Sequence, residues 1–392
     1  MLSARMVKIL SALLAVLSLN AQGTENYEIK GQIQGLQEGE KVTISLVEPT
    51  GHHWVKRDSA IVRNGEFLLV GIVPEGPREY LMFFDHHPFL LDIIVNKGDR
   101  ITIKSNQDLS DFHHNNINDY VTVNGSDYYT SWVHLAPAYW LYEKSIRNLK
   151  RAAQHLVDSI GFDGPKVDEY YQSIDLINQA FADEFFTTSP DQTHPESTIA
   201  FPMWAYTVYV NSNHASFVAN AYAQLNPSMQ NSYFGKMLNE YSKLCVGQPF
   251  PDFTLPTAEG KQLALKDVVS RSKVTLVHFW AAQSYMKKQL QDELRVFYKK
   301  YHDKGLNIVG FYSDKYPDEW KDLVQKEQYP WYNVSDSKGE EGMTAKVYRE
   351  YLAPGQKIAN TTNVLIDAQG KILAWDVYGT ELQWYLWKFC GQ

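Results

Sequence analysis

The chain is short of cysteine. Its 392 residues hold two, Cys245 and Cys390, 145 positions apart and in no short motif. An exported chain could join them in a disulfide, and two buried thiols are the other reading. Spacing alone does not decide between them, because bridging depends on how close the Cα atoms come. Long apolar runs are also lacking. The stretch Ile9 to Leu17 is too short to span a bilayer, and no other segment reaches that length. Basic charge is in deficit, 37 Lys and Arg against 45 Asp and Glu, for a formal net charge of −8. That balance argues against nucleic acid and anionic membrane surfaces as partners. Internal repeats and low-complexity tracts are absent from the chain after its first 21 residues.

What is present begins with an export signature. Arg5 and Lys8 precede the short apolar run, and Leu19-Asn20-Ala21 offers a small residue at a cleavage point. Residues 1–21 are therefore expected to be a removed signal peptide. The mature chain then carries −10, does not span a membrane, and works in the periplasm or at the extracellular face of the envelope. No Cys follows the cleavage point to carry a lipid anchor. A hydrophobic content of 44% and an aromatic content of 14% suit a packed globular protein of more than one domain.

Residues 22–125 read as a β-sandwich domain of unknown function. Val42, Ile44 and Leu46 alternate with Thr43 and Ser45. In SAIVRNGEFLLVG, Asn64-Gly65 between two apolar runs predicts a hairpin. FLLDIIVNKGDRITIK repeats the scheme through Asn96-Lys97-Gly98-Asp99. Residues 126–244 read as a helical region without a catalytic signature. A helix from LAPAYW ends at Gly161, VDEYYQSIDLINQAFADEFF makes a second, Pro195-Glu196-Ser197 opens a third, and Pro227-Ser228 opens a fourth. Residues 245–392 alternate strands with helices, which predicts a mostly parallel sheet. Its last two strands are expected to form an antiparallel hairpin through Asp367-Ala368-Gln369-Gly370.

VGQPFPDFTL, VTLVHFWAAQSYMKKQ, LNIVGFYSD and TTNVLIDAQGKIL, in that order, resemble the exported thioredoxin-like proteins of the TlpA and AhpC-TSA superfamily. The likeness covers about 145 residues. The β-rich start and the helical insert resemble the N-terminal regions fused to such domains in secreted Bacteroidetes proteins. The implied whole is multidomain: an all-β sandwich, a helical insert and a C-terminal α/β thioredoxin-like fold.

The resemblance also implies a site, and there the chain departs from it. Active members read Phe-Trp-Ala-x-Trp-Cys-x-x-Cys at this strand end. Laid on this sequence, the two cysteines fall on Ser284 and Lys287, and the preceding Trp on Gln283. A Cys at a helix N-terminus has its thiolate stabilised by the dipole and by unpaired N–H groups, and a second Cys one turn on resolves the mixed disulfide. A serine does not ionise there at pH 7, and a lysine resolves nothing. The family's cis-proline position falls on Thr361, where a cis bond costs about 2.5–4 kcal/mol without proline. No catalytic residue is assigned. The expected function is binding or assembly with a peptide or protein partner of the cell envelope, without a cofactor, through Trp280, Gln283, Ser284, Tyr285, Lys287, Thr361 and Thr362. The alternative is a thiol-disulfide oxidoreductase that works through an atypical site, with Cys245 or Cys390 as its thiol. A third reading gives the function to the β-domain, as a binder of a glycan or envelope component.

Three further patterns have plainer readings. Ser284-Tyr285-Met286-Lys287 is formally a Ser-x-x-Lys spacing, but the companion Ser-Asp-Asn and Lys-Thr-Gly elements are missing, so an N-cap serine and a solvated lysine are expected. His52-His53, His86-His87 and His113-His114, with Asp85 and Asp111 nearby, invite a metal reading. Adjacent strand residues face opposite ways, so each pair offers one ligand, and polar-turn histidines without metal are the expectation. Trp204, Tyr206 and Tyr209 are read as packing.

Overall fold

The structure is a computed structural model. It describes residues 26–47, 54–73, 76–112, 116–182, 222–223, 225–282, 287–339, 342 and 362–391. These divide into two compact units. One holds the described residues up to Leu135 and 231–234; the other holds those from Ala136 onward apart from that short stretch.

The first unit is built from eight strands: β1 Tyr27–Gln32, β2 Lys41–Val47, β3 Trp54–Ile61, β4 Glu66–Gly71, β5 Arg78–Phe84, β6 Leu90–Val95, β7 Arg100–Ser105 and β8 Val121–Asn124. They form two four-stranded sheets, ordered β4-β1-β7-β8 and β3-β2-β5-β6. Alternation sets which side is buried. In β5, Tyr80, Met82 and Phe84 face inward, while Glu79, Leu81 and Phe83 are half-buried. Ring pairs join the two inner faces: Tyr27 on β1 lies 6.3 Å from Tyr80 on β5, and Phe67 on β4 lies 6.3 Å from Phe84.

Both sequence-read turns form, but neither closes a hairpin. Asn64 and Gly65 take φ of 53° and 77°, and Arg63 and Glu66 exchange backbone hydrogen bonds of 2.8 and 3.0 Å. Beyond that, β3 pairs with β2 and β4 pairs with β1, in the other sheet. The turn at Asn96–Asp99 likewise leads from β6 in one sheet to β7 in the other. Apolar runs on either side of a tight turn are satisfied equally by pairing or by facing each other across a core. Here the two turns are corners of the sandwich.

α1 (Asp127–Ile160) starts earlier than the apolar periodicity indicated, because Ser126 caps it. The Ser126 Oγ accepts the Tyr129 N–H at 3.2 Å and donates to the Ile94 carbonyl at 2.9 Å. Gly161, at φ 81°, ends it. α2 (Gly164–Ala182) returns along it, and the Tyr142 hydroxyl donates to Asn178 Oδ1 at 2.7 Å. The segment after Asn226 is two helices, α3 (Pro227–Asn231) and α4 (Tyr233–Ser242), where a single helix was expected. The two part at Ser232, and Gly235, early in α4, sits so close to the Met229 carbonyl that a Cβ there would lie 2.0 Å from its oxygen. The helix expected from Pro195-Glu196-Ser197, and Trp204, Tyr206 and Tyr209 with it, lie outside the described residues, as do residues 1–21.

The second unit continues with β9 (Thr254–Pro256), β10 (Gln262–Ala264), α5 (Leu265–Val269), β11 (Val274–Trp280), α6 (Lys287–Tyr301), β12 (Leu306–Tyr312), α7 (Pro317–Glu327), β13 (Tyr332–Ser335), β14 (Thr362–Asp367), β15 (Ile372–Trp375) and α8 (Gly379–Cys390). Its five-stranded sheet runs β13-β12-β11-β14-β15. β11, β12 and β13 are parallel, and β14 and β15 antiparallel, joined by the expected turn at Asp367–Gly370. All seven residues of the central β11 are buried, as a strand covered on both faces requires. One face packs Leu276, Ile308, Leu365 and Ala374 beneath α6, α8 and α2. Trp384 of α8 stacks on Tyr171 of α2 at 4.5 Å and donates to Asp168 Oδ1 at 2.8 Å. The other face packs Val277, Val309 and Val364 against α5 and the Phe250-Phe253 opening.

Candidate functional site

The three parallel strands end on one edge of the sheet, and β14, running the other way, begins there. In open α/β sheets this carboxyl edge is where ligands sit. It assembles Trp280-Ala281-Ala282, the start of α6 at Lys287, Ser313-Asp314, Ser335-Asp336 and Thr362.

Of the residues singled out in the sequence, Trp280 and Thr362 are described in full. Trp280 is 1% exposed, edge-on to Tyr312 at 5.0 Å and to Tyr329 at 5.7 Å, with Trp320 completing the cluster. Thr362 is buried too, and its Oγ1 donates to Asp376 Oδ1 at 2.8 Å. The Tyr378 hydroxyl donates to the same oxygen at 2.6 Å. Lys287 opens α6; its side chain, Gln283, Ser284, Tyr285 and Thr361 lie outside the described residues. Lys288 is exposed and pairs with Asp292 one turn on, at 2.6 Å.

Cys245 and Cys390 are not joined in a disulfide. Both are buried, Cys245 just after α4 and Cys390 in the last turn of α8. Burial pushes the Cys390 thiol up.

Of the histidine pairs, His86-His87 is described. His86 occupies the turn after β5, and its N–H donates to Glu40 Oε1 at 2.9 Å. His87 is buried, stacked on Phe89 at 4.7 Å, with Nε2 3.4 Å from Glu40 Oε2. That carboxylate also accepts the Gln37 N–H at 2.9 Å and ties two loops together. Asp85 and Asp111 are exposed. His52-His53 and His113-His114 lie outside the described residues.

One group was missed in the sequence. Across the sheet, Asn333, Gly310, His278 and Asn363 stand in register on neighbouring strands, and Asn363 meets Asp376 at the far side. His278 Nδ1 lies 2.8 Å from Asn363 Oδ1, and Asn363 Nδ2 donates to the Val377 carbonyl at 2.9 Å. This polar row separates the aliphatic cluster under α6 and α8 from the Trp280–Tyr312–Trp320 cluster at the edge. Burial lowers the His278 imidazole to about 4 and keeps it neutral. The signal was a histidine inside a largely apolar strand, paired with an asparagine in TTNVLID.

Residues 246–374 match the AhpC/TSA family. The C-terminal domain belongs to it. Residues 27–131 match a domain family of unknown function, DUF4369. Over 146 residues the chain is 25% identical to the thiol-disulfide oxidoreductase ResA of Bacillus cereus, covering 37% of this chain and 75% of that one. Among solved structures, a thiol-disulfide oxidoreductase from Bacteroides fragilis is 28% identical, covering 36% of this chain and 98% of that one, with a TM-score of 0.32. The thioredoxin domain of a thiol-disulfide oxidoreductase from Bacteroides vulgatus is 26% identical, covering 38% and 99%, with a TM-score of 0.32. With its β13-β12-β11-β14-β15 sheet between helices, the AhpC/TSA domain is thioredoxin-like, and along the chain it follows a β-rich DUF4369 domain and a helical region. Among the described residues, no helix is long and apolar enough to cross a membrane.

Proposed function

We propose that the AhpC/TSA domain is a thioredoxin-like scaffold without disulfide chemistry of its own, and that its strand-end edge holds a peptide or protein partner in the cell envelope. The observation that carries this reading is the cysteine content. The chain has two, and neither falls in the strand-to-helix turn, where Ser284 and Lys287 stand in their place. Both existing thiols are buried, and Cys390 is disfavoured as a thiolate. Residues 1–21 support export to the periplasm, and the acidic net charge favours a partner other than nucleic acid. A helix N-terminus keeps N–H donors for a backbone carbonyl or a carboxylate after its cysteine is gone.

The names of the relatives favour a second reading, thiol-disulfide exchange through Cys245 or Cys390. Insulin-disulfide reduction separates the two. The mature wild-type chain is expected to be inert, and a Ser284→Cys/Lys287→Cys chain to gain activity. Wild-type activity that disappears in a Cys245→Ala/Cys390→Ala chain would establish the second reading instead. The binding role is tested by crosslinked capture from envelope extract. Partners recovered equally by the wild type and by a chain with Ser284 and Lys287 both changed to Ala count against the strand-end edge.

A further inference from the structure

The last helix, α8, reads GTELQWYLWKFC and has almost no polar face. Of its residues only Lys388 is exposed. A surface helix buries one stripe, and one that is apolar on every side needs cover on every side. Leu382, Leu386 and Cys390 make one buried stripe; Glu381, Trp384 and Tyr385 make a second on the opposite side. The AhpC/TSA match stops at residue 374, before α8 begins. The second stripe is covered by the α1–α2 hairpin, whose residues from Ala136 onward lie between the two family matches. Trp384 meets Tyr171 and Asp168 of α2, and buried Ala153 of α1 belongs to the same apolar cluster. A Cβ on Gly164, the first residue of α2, would lie 2.2 Å from the Trp387 ring, so hairpin and helix are in close contact there too.

The first turn of α8 is held residue by residue. The Gly379 N–H donates to Glu293 Oε2 of α6 at 3.3 Å, and the Thr380 Oγ1 donates to Gln154 Oε1 of α1 at 2.7 Å. Lys150 Nζ, one turn before Gln154, donates to Glu381 Oε2 at 2.8 Å. The residue before this turn is Tyr378, whose hydroxyl shares Asp376 Oδ1 with Thr362 of the strand-end edge. The Asp376 N–H donates to the Asn363 carbonyl at 2.7 Å. Asp376 has φ of 52°, a left-handed conformation that persists in a non-glycine residue where its surroundings hold it. A continuous run of bonds therefore leads from α1 through the start of α8 to the edge.

We propose that the α1–α2 hairpin is an intramolecular clamp for the strand-end edge. By holding Thr380 and Glu381 it fixes the start of α8, and with it Tyr378, Asp376 and Thr362. Lys150 and Gln154 are its positioning residues: neither belongs to the edge, and both act through α8. Contiguous hydrogen bonds and rigid helices carry coupling of this kind. The clamp does not depend on what the edge binds, and its test makes no use of binding.

Native-state hydrogen exchange of the full mature chain at neutral pH, read by NMR, supplies that test. In a Lys150→Met/Gln154→Leu chain, the Asp376 and Gly379 amides are expected to exchange at least tenfold faster than in the wild type. The Ile308 and Phe311 amides of β12 are expected to keep their rates. Acceleration that is equal at all four amides is a general loss of stability and overturns the clamp, as do unchanged rates at Asp376 and Gly379. If that chain fails to fold, the wild type decides. Its Ala153 and Gly379 amides are expected to merge into one opening reaction as urea is raised, and two separate openings overturn the clamp.

Discussion

His278 and Asn363 face each other at the centre of the AhpC/TSA sheet, with Nδ1 of one 2.8 Å from Oδ1 of the other. The contact makes two backbone-like hydrogen bonds out of side chains, since Asn363 passes the interaction on to the Val377 carbonyl. It also commits the fold to a neutral imidazole. A charge at that depth has no anionic partner among the groups that hold the ring.

The stability of this unit should therefore fall with acid. The folded imidazole titrates at about 4 and an ordinary one near 6.5. Between those values the unfolded chain binds more protons than the folded one, so stability rises with pH. The full contribution is present above pH 6.5 and is lost on descent to pH 4, for a total of about 3 kcal/mol. Below pH 4 both states carry the proton and His278 adds no further slope. Urea unfolding at pH 7, 5.5 and 4 should show the loss in the wild type and a flatter profile in a His278→Gln chain.

Glu79, in the β-rich unit, should act in the opposite sense. Burial, and secondarily the Asp92 carboxylate, raise it to about 7. Here the folded state binds more protons than the unfolded one, so stability is full below about pH 4.5 and is lost as pH rises through 7. The side chain is half-buried, and after solvent screening the effect is on the order of 2 kcal/mol. A Glu79→Gln chain should gain stability at pH 8 and match the wild type at pH 4. Equal stability of the two at pH 8 would refute the assignment.

Trp384 anchors α8 against α2 through a stacked ring and an indole hydrogen bond. It is 1% exposed, so Trp384→Ala should cost about 3–5 kcal/mol. Trp384→Phe keeps most of the packing and loses the bond to Asp168, at about 1 kcal/mol. Denaturant midpoints of the two variants give the ordering. If both cost the same, the hydrogen bond and not the ring holds the helix.

Much of this architecture was legible in the sequence, where pattern and pairing agree. TTNVLIDAQGKIL gave a strand, a Gly turn and a return strand, because a short turn leaves the second run no partner except the first. The Asn64-Gly65 and Asn96–Asp99 turns were legible as turns and misleading as hairpins. Their φ values depend on two residues, whereas the choice of partner depends on other strands: β3 pairs back with β2, and both β4 and β7 pair with the distant β1. The polar row was illegible for a related reason. Asn333, Gly310, His278 and Asn363 sit on four strands, and only their register brings them together. For the strand-to-helix turn, the sequence supplies the residue types, and residues 283–286 fall outside the described ones.

The two corner turns have a kinetic consequence. Because β3 and β4 part at Gly65, β1 finds its partners far along the chain, pairing Tyr27 with Gly71 and Glu28 with Arg100. The β2–β3 and β5–β6 ladders close much shorter loops, and loop closure favours short ones. One sheet of the sandwich should therefore assemble first and act as the surface on which the other is gathered. Pulse-labelled hydrogen exchange should find β5 and β6 amides protected before those of β1. Simultaneous protection would mean that the sandwich condenses in one step, with the long loops closed at the outset.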